Sequence, residues 1–161
     1  MPSVVQMVVC REAVVDRATN IVSLHGLIEE AQVLPEAFTK AKEQQVMAAA
    51  QMAVYALLSW EWPAAEEREP LSLDLRLCNP AGIVITLGSI RIEPAPSVNR
   101  FRAIFNLQGF PLGGEGIYTF ELLSREKILG KVPFRVISAQ SVAGQPAGDS
   151  APGPLVPNQA Q

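Results

Sequence analysis

The stretch LSLDLRLCNPAGIVITL, residues 71–87, sets the fold class. Leu71, Leu73, Leu75 and Leu77 recur at every second position, with Ser72, Asp74, Arg76 and Cys78 between them. In an extended chain successive side chains point to opposite faces, so this spacing makes one leucine wall and one face able to meet water. A helix would scatter the same leucines around its axis. NPAG at 79–82 then ends the strand: asparagine, proline and glycine stand at the first, second and fourth positions of a type I turn. Ile83–Leu87 returns as the partner strand, and the whole reads as a β-hairpin.

The same period of two recurs outward from this hairpin. Towards the N-terminus, Val4–Val9 and Ile21–Ile28 flank the turn-forming DRATN at 16–20, giving a second hairpin, with a bulge in its first strand as one option. Towards the C-terminus, Phe101, Ala103, Phe105 and Leu107 form another inward face. Tyr118, Phe120 and Leu122 form the next, and Val132, Phe134 and Val136 close the sheet, with Lys131 and Arg135 outward. EPAPSVN at 93–99 and SREK at 124–127 are the intervening loop and turn. One segment breaks the pattern. PEAFTKAKEQQVMAAAQM at 35–52 has helix-forming composition and a proline suited to a first helical position, which predicts a short helix near 36–48 ahead of a strand Val54–Trp62. The rival is that VMAAAQ already belongs to that strand.

About seven or eight short strands with little helix predict an all-β domain, an antiparallel two-sheet sandwich of the immunoglobulin-like kind over residues 1–138. Residues 139–161, rich in Pro, Gly and Ala, hold almost nothing to fill a core and are expected to form a disordered tail. Hydrophobic residues make up 48% of the 161 and charged residues 18%, a composition that supports a core. The net charge of −3 provides no basic surplus for a nucleic-acid backbone or an anionic membrane. No run approaches the roughly 20 apolar residues of a membrane span, and MPSVVQMVVCRE lacks the basic start of a signal peptide. A cytoplasmic protein is expected, with Cys10 and Cys78 as reduced thiols rather than a disulfide. One histidine and no CxxC pair predict neither metal nor other cofactor.

Several motifs occur in a telling order: VVCREAVVD (8–16), TNIVSLHGLIEE (19–30), ALLSW (56–60), NPAG (79–82), NLQGFPL (106–112), GIYTFELL (116–123) and VPFRV (132–136). Together they resemble a family of small, uncharacterised bacterial proteins, over most of residues 3–138. The resemblance implies a β-sandwich domain of unknown function and brings no catalytic residues.

Four features invite a functional reading. GGEG at 113–116 has the look of a phosphate loop, but the alternating Ile117–Phe120 that follow are a strand rather than a helix, so the glycines read as a tight corner. Tyr118 is then placed to tie that corner to the backbone, as in the tyrosine corner of sandwich folds. Cys10 with His25, the lone histidine, is the only nucleophilic arrangement available, and the two would need to share a face of the first hairpin; a partly exposed strand histidine is the plainer reading. Paired acids at Glu29–Glu30 and in AAEEREP (64–70) read as solvated hairpin surface. Trp62, Arg100 and Arg102 remain as an aromatic-arginine patch of the kind that anchors protein interfaces. The chain is therefore expected to be a non-enzymatic interaction or assembly module, with a protein partner or a second copy of itself. A thiol enzyme using Cys10 and His25, or a small-ligand-binding sandwich, is the alternative.

Overall fold

A computed structural model of the chain describes residues 2–60, 69–93 and 100–139. Trp62, most of the acidic stretch 64–70, the loop 94–99 and the tail from residue 140 lie outside the described residues.

Nine strands and one helix are found among the described residues. They are β1 (Ser3–Val15), β2 (Val22–Leu27), β3 (Glu30–Val33), α1 (Pro35–Glu43), β4 (Val46–Ser59), β5 (Leu71–Cys78), β6 (Val84–Ile92), β7 (Arg100–Leu112), β8 (Gly116–Ser124) and β9 (Lys127–Ser138). They form two sheets, ordered β2-β1-β4-β7 (sheet A) and β3-β9-β8-β5-β6 (sheet B). The expected sandwich is present, with two adjustments. There are nine strands rather than seven or eight, and one pair is parallel: β3 runs alongside β9, from Glu30 opposite Arg135 to Val33 opposite Ser138. The chain leaves sheet A after Leu27 and crosses to sheet B, where the Arg135 amide donates to the Glu29 carbonyl at 2.8 Å. It arrives heading the same way as β9, so the pair is parallel.

Residues 71–87 form the expected hairpin. Asn79 directs its turn: its Oδ1 accepts from the amides of Ala81 (3.0 Å) and Ile83 (2.9 Å), and its carbonyl accepts from Gly82 (2.9 Å). The bulge considered for the first strand lies between Val4 and Gln6. The helix is shorter than expected. It ends at Glu43, and VMAAAQ belongs to β4, where Val46, Met47, Ala48 and Ala49 pair with Leu112, Pro111, Phe110 and Gly109 of β7. Alanine's helix propensity is worth only tenths of a kcal/mol per residue, less than a ladder with a buried face supplies. α1 keeps Pro35 in its first turn with Glu36, and Lys40 and Lys42 in its last, while Ala37, Phe38 and Ala41 pack on the core.

The core draws on both sheets: Val9, Met52, Val54, Leu58, Ala103 and Phe105 from sheet A face the four leucines of β5 and Phe120, Leu122 and Phe134 of sheet B. Phe134 stands at its centre, stacked on Phe120 with centroids 5.1 Å apart and edge-on to Phe110 at 5.4 Å. Where the chain passes from β7 in sheet A to β8 in sheet B, the Tyr118 hydroxyl closes the corner. It accepts from the Gly113 amide and donates to the Gly114 carbonyl, both at 2.8 Å. Gly114 and Gly116 have φ of 128° and 136°, which side chains disfavour, and a β-carbon at Gly113 would collide with the Asn79 amide. The two corners therefore interlock.

Replacing Tyr118 with Phe keeps the ring and strands the Gly113 amide. A loss of about 1–3 kcal/mol in urea unfolding is expected, and an unchanged midpoint would show that the corner does not rely on the hydroxyl.

Candidate functional site

Along β4, residues alternate between the core and the outer face of sheet A. Met52, Val54, Ala56 and Leu58 belong to the core cluster, whereas Ala53 and Tyr55 do not, yet both are buried. Their cover comes from the first hairpin. β1 pairs with β4 from Ser3 opposite Ser59 up to Cys10 opposite Ala53, and no further. Beyond Cys10 it continues with β2 alone, Glu12 opposite His25 and Val15 opposite Val22. This two-stranded arm bends over the outer face of sheet A. Val15 and Asn20 of the arm share the walls of a groove of about 550 Å³ with Leu57, Arg100, Arg102 and Ile104. The Arg102 guanidinium clasps the arm's tip, Nη1 donating to the Asn20 carbonyl (2.8 Å) and to its Oδ1 (2.9 Å).

The tip is built for that contact. Asp16 Oδ1 accepts from the Ala18 amide at 2.8 Å, and its Oδ2 accepts from the Thr19 hydroxyl at 2.7 Å. These bonds, the Thr19 hydroxyl foremost, hold the Asp16 carboxyl below its usual range. Asn20 adopts φ of 57°, a left-handed conformation that asparagine tolerates, and this turns its carbonyl towards Arg102.

Of the expected patch, the structure places Arg100 and Arg102 on one face, exposed, at the start of β7 opposite Ser59 and Leu57. Trp60 points the other way, buried and edge-on to Phe101 at 6.1 Å. Among the described residues β7 is the edge strand of sheet A, so the two arginines flank a backbone edge with no strand paired to it there.

Cys10 and His25 are not brought together as nucleophile and base. Cys10 is fully buried, and its thiol reaches the Ala53 carbonyl at 3.6 Å. Burial pushes that thiol up, offset only in part by the Glu12 backbone, so it is protonated at neutral pH. His25 is exposed and lies opposite Glu12, two residues along the arm. Cys78 is also a free thiol. Among the described residues no cluster of three His, Cys, Asp or Glu could hold a metal ion. Glu69 pairs with Arg125 on the surface. No helix among these residues is long and apolar enough to cross a membrane.

No family model matches the chain, and no curated protein matches it. Among solved structures, an immunoglobulin-like protein from Pseudomonas aeruginosa is similar at a TM-score of 0.40 and 11% identity, over 85% of this chain and 97% of that one. The sandwich assignment stands on the strand pairing described above.

The clasp and the turn make separate predictions. Arg102→Ala should change global stability by no more than about 1 kcal/mol while speeding amide exchange across Ala18–Ile21 and modification of Cys10 by a thiol reagent. If both rates stay at the wild-type level, the arm is held without the clasp. The Asp16 contribution is complete above its ordinary pKa of about 3.9 and is lost as pH falls through the lower folded value. Exchange at Ala18, corrected for its intrinsic pH dependence, should therefore accelerate only below about pH 4; acceleration already at pH 5–6 would point to another group.

Proposed function

We propose that the chain is a protein-interaction or assembly module that takes a partner segment along the open edge of β7, with Arg100 and Arg102 as its charged anchors. One observation carries this reading: among the described residues a 13-residue strand pairs with β4 alone, and it starts with two exposed arginines on one face. An unpaired edge offers a row of backbone donors and acceptors that an added strand satisfies, and side chains beside it select the sequence. Guanidinium groups match carboxylates in planar, two-bond geometry, so the partner segment is extended and carries an acidic residue. A second copy of this chain is admissible, since its own net charge is negative. Two unpaired thiols suit a reducing, cytoplasmic setting. A thiol enzyme is disfavoured by the protonated, buried Cys10.

Affinity purification and sedimentation velocity test the reading together. A stoichiometric partner or a concentration-dependent dimer is expected. Arg100→Glu should weaken either by about tenfold or more, the scale of one lost charge contact, with an unchanged circular dichroism spectrum. A chain that stays monomeric and purifies without a stoichiometric partner would overturn it.

A further inference from the structure

A second open edge lies inside the fork where β1 parts from β4. β1 leaves the ladder after Cys10, but β4 extends seven residues further towards its N-terminal end, from Met52 back to Val46, paired there with β7 on one side only. No strand pairs with the other side of that stretch among the described residues. The fork is open on both faces of the sheet. One cleft of about 710 Å³ lies between Ala50–Met52, the arm residues Arg11 and Glu12, and β3 with Glu30 and Gln32. A second, of about 730 Å³, shares Arg11, Glu12 and Ala50–Met52 and reaches Asn106 and Gln108 on the outer face.

Two local features shape β4 at this point. Ala49 lies opposite Gly109 and Met52 opposite Leu107, so Ala50 and Gln51 together face Gln108: a β-bulge. Gly109 permits it, because a β-carbon there would sit 2.5 Å from the Ala48 carbonyl oxygen. The side chains at 48–50 are all alanine, which leaves room beside the edge for an occupant's larger ones.

We infer that the fork between β1 and β4 is a recognition slot for an extended segment of a partner protein, which inserts beside Ala48–Met52 as an added strand. The lining specifies that segment. Its inward side chains would meet Ile28, Ala31 and Met52, and its outward ones Gln51, Asn106 and Gln108, so it alternates apolar and polar residues. Two carboxylates, Glu12 and Glu30, against one guanidinium, Arg11, favour a lysine or arginine on it. Seven extended residues span about 23 Å, the length of β4 from Val46 to Met52 that β1 leaves without a partner on that side. This site is separate from the β7 edge and selects the opposite charge.

The test is amide exchange and chemical-shift mapping by NMR with a synthetic peptide alternating valine with threonine and lysine. Binding should slow exchange at Ala48–Gln51. Glu12→Lys with Glu30→Lys should weaken the lysine peptide at least threefold and strengthen a glutamate counterpart, a reciprocity that misfolding would not produce. Arg100→Glu should leave this binding unchanged, which separates it from failure of the β7 reading. Protection appearing at β6 or β7 instead, or no protection at all, would overturn the inference. So would protection of Ala48–Gln51 in the peptide-free chain that rises with protein concentration or disappears on removing residues 140–161, since the occupant would then be a second copy or the chain itself.

Discussion

The two sheets are held in register by the Tyr118 corner. A sandwich needs its strands to switch sheets without stranding buried backbone groups, and at the β7–β8 crossover one hydroxyl satisfies the Gly113 amide and the Gly114 carbonyl together. The ring beneath it is fully buried, edge-on to Phe110 and tilted against Phe134. The hydrogen bonds are directional and fix the position of the corner; the aromatic packing is not, and fills the space that the corner defines. Because Gly113 and Gly116 also receive Asn79 and Pro80 at close range, the β5–β6 turn is seated by the same corner. Its effect thus extends from β7 to the far edge of sheet B.

Sheet B was legible in the sequence because most of its strands bury one face only. Leu71–Leu77 and Tyr118–Leu122 show clean alternation, and so did the pairing inferred from them. β4 was harder for a physical reason. Its outer residues Ala53 and Tyr55 lie under the arm while Val54 and Ala56 lie in the core, so the strand is apolar on both faces and its period disappears. Without a period, the alanines at 48–50 were left to propensity, which points to a helix. β3 was missed because four residues with two polar side chains carry too little pattern to register. Its parallel pairing is set by where the chain crosses between sheets, which no local signal records.

The candidate site was legible only in part. Alternation alone put Arg100 and Arg102 on one face of a strand. It could not show that Asn20, 82 positions away, would accept from Arg102, because that contact depends on β1 bending after Cys10. The same bend separates Cys10 from His25 in function: one is carried under the arm against β4, the other out along it. DRATN was readable as a turn from its composition, but its role in presenting the Asn20 carbonyl needed the tertiary fold.

An open edge is a hazard in a β protein, and three strands that offer one manage it differently. β6 exposes Arg91 near its end, paired with Glu93, and β7 opens with Arg100 and Arg102, so charge restricts what can add there to a segment that complements it. The unpaired half of β4 carries alanines and no charge between Val46 and Met52, which on an outer edge would invite aggregation. It lies instead within a fork, flanked by Arg11 and Glu12 on one side and by β3 on the other. Recessed in this way, the edge excludes a second sheet by size and admits a single extended chain. A strand edge that is chemically permissive and sterically restricted is what selective peptide recognition requires, and the bend in β1 that covers Tyr55 produces it.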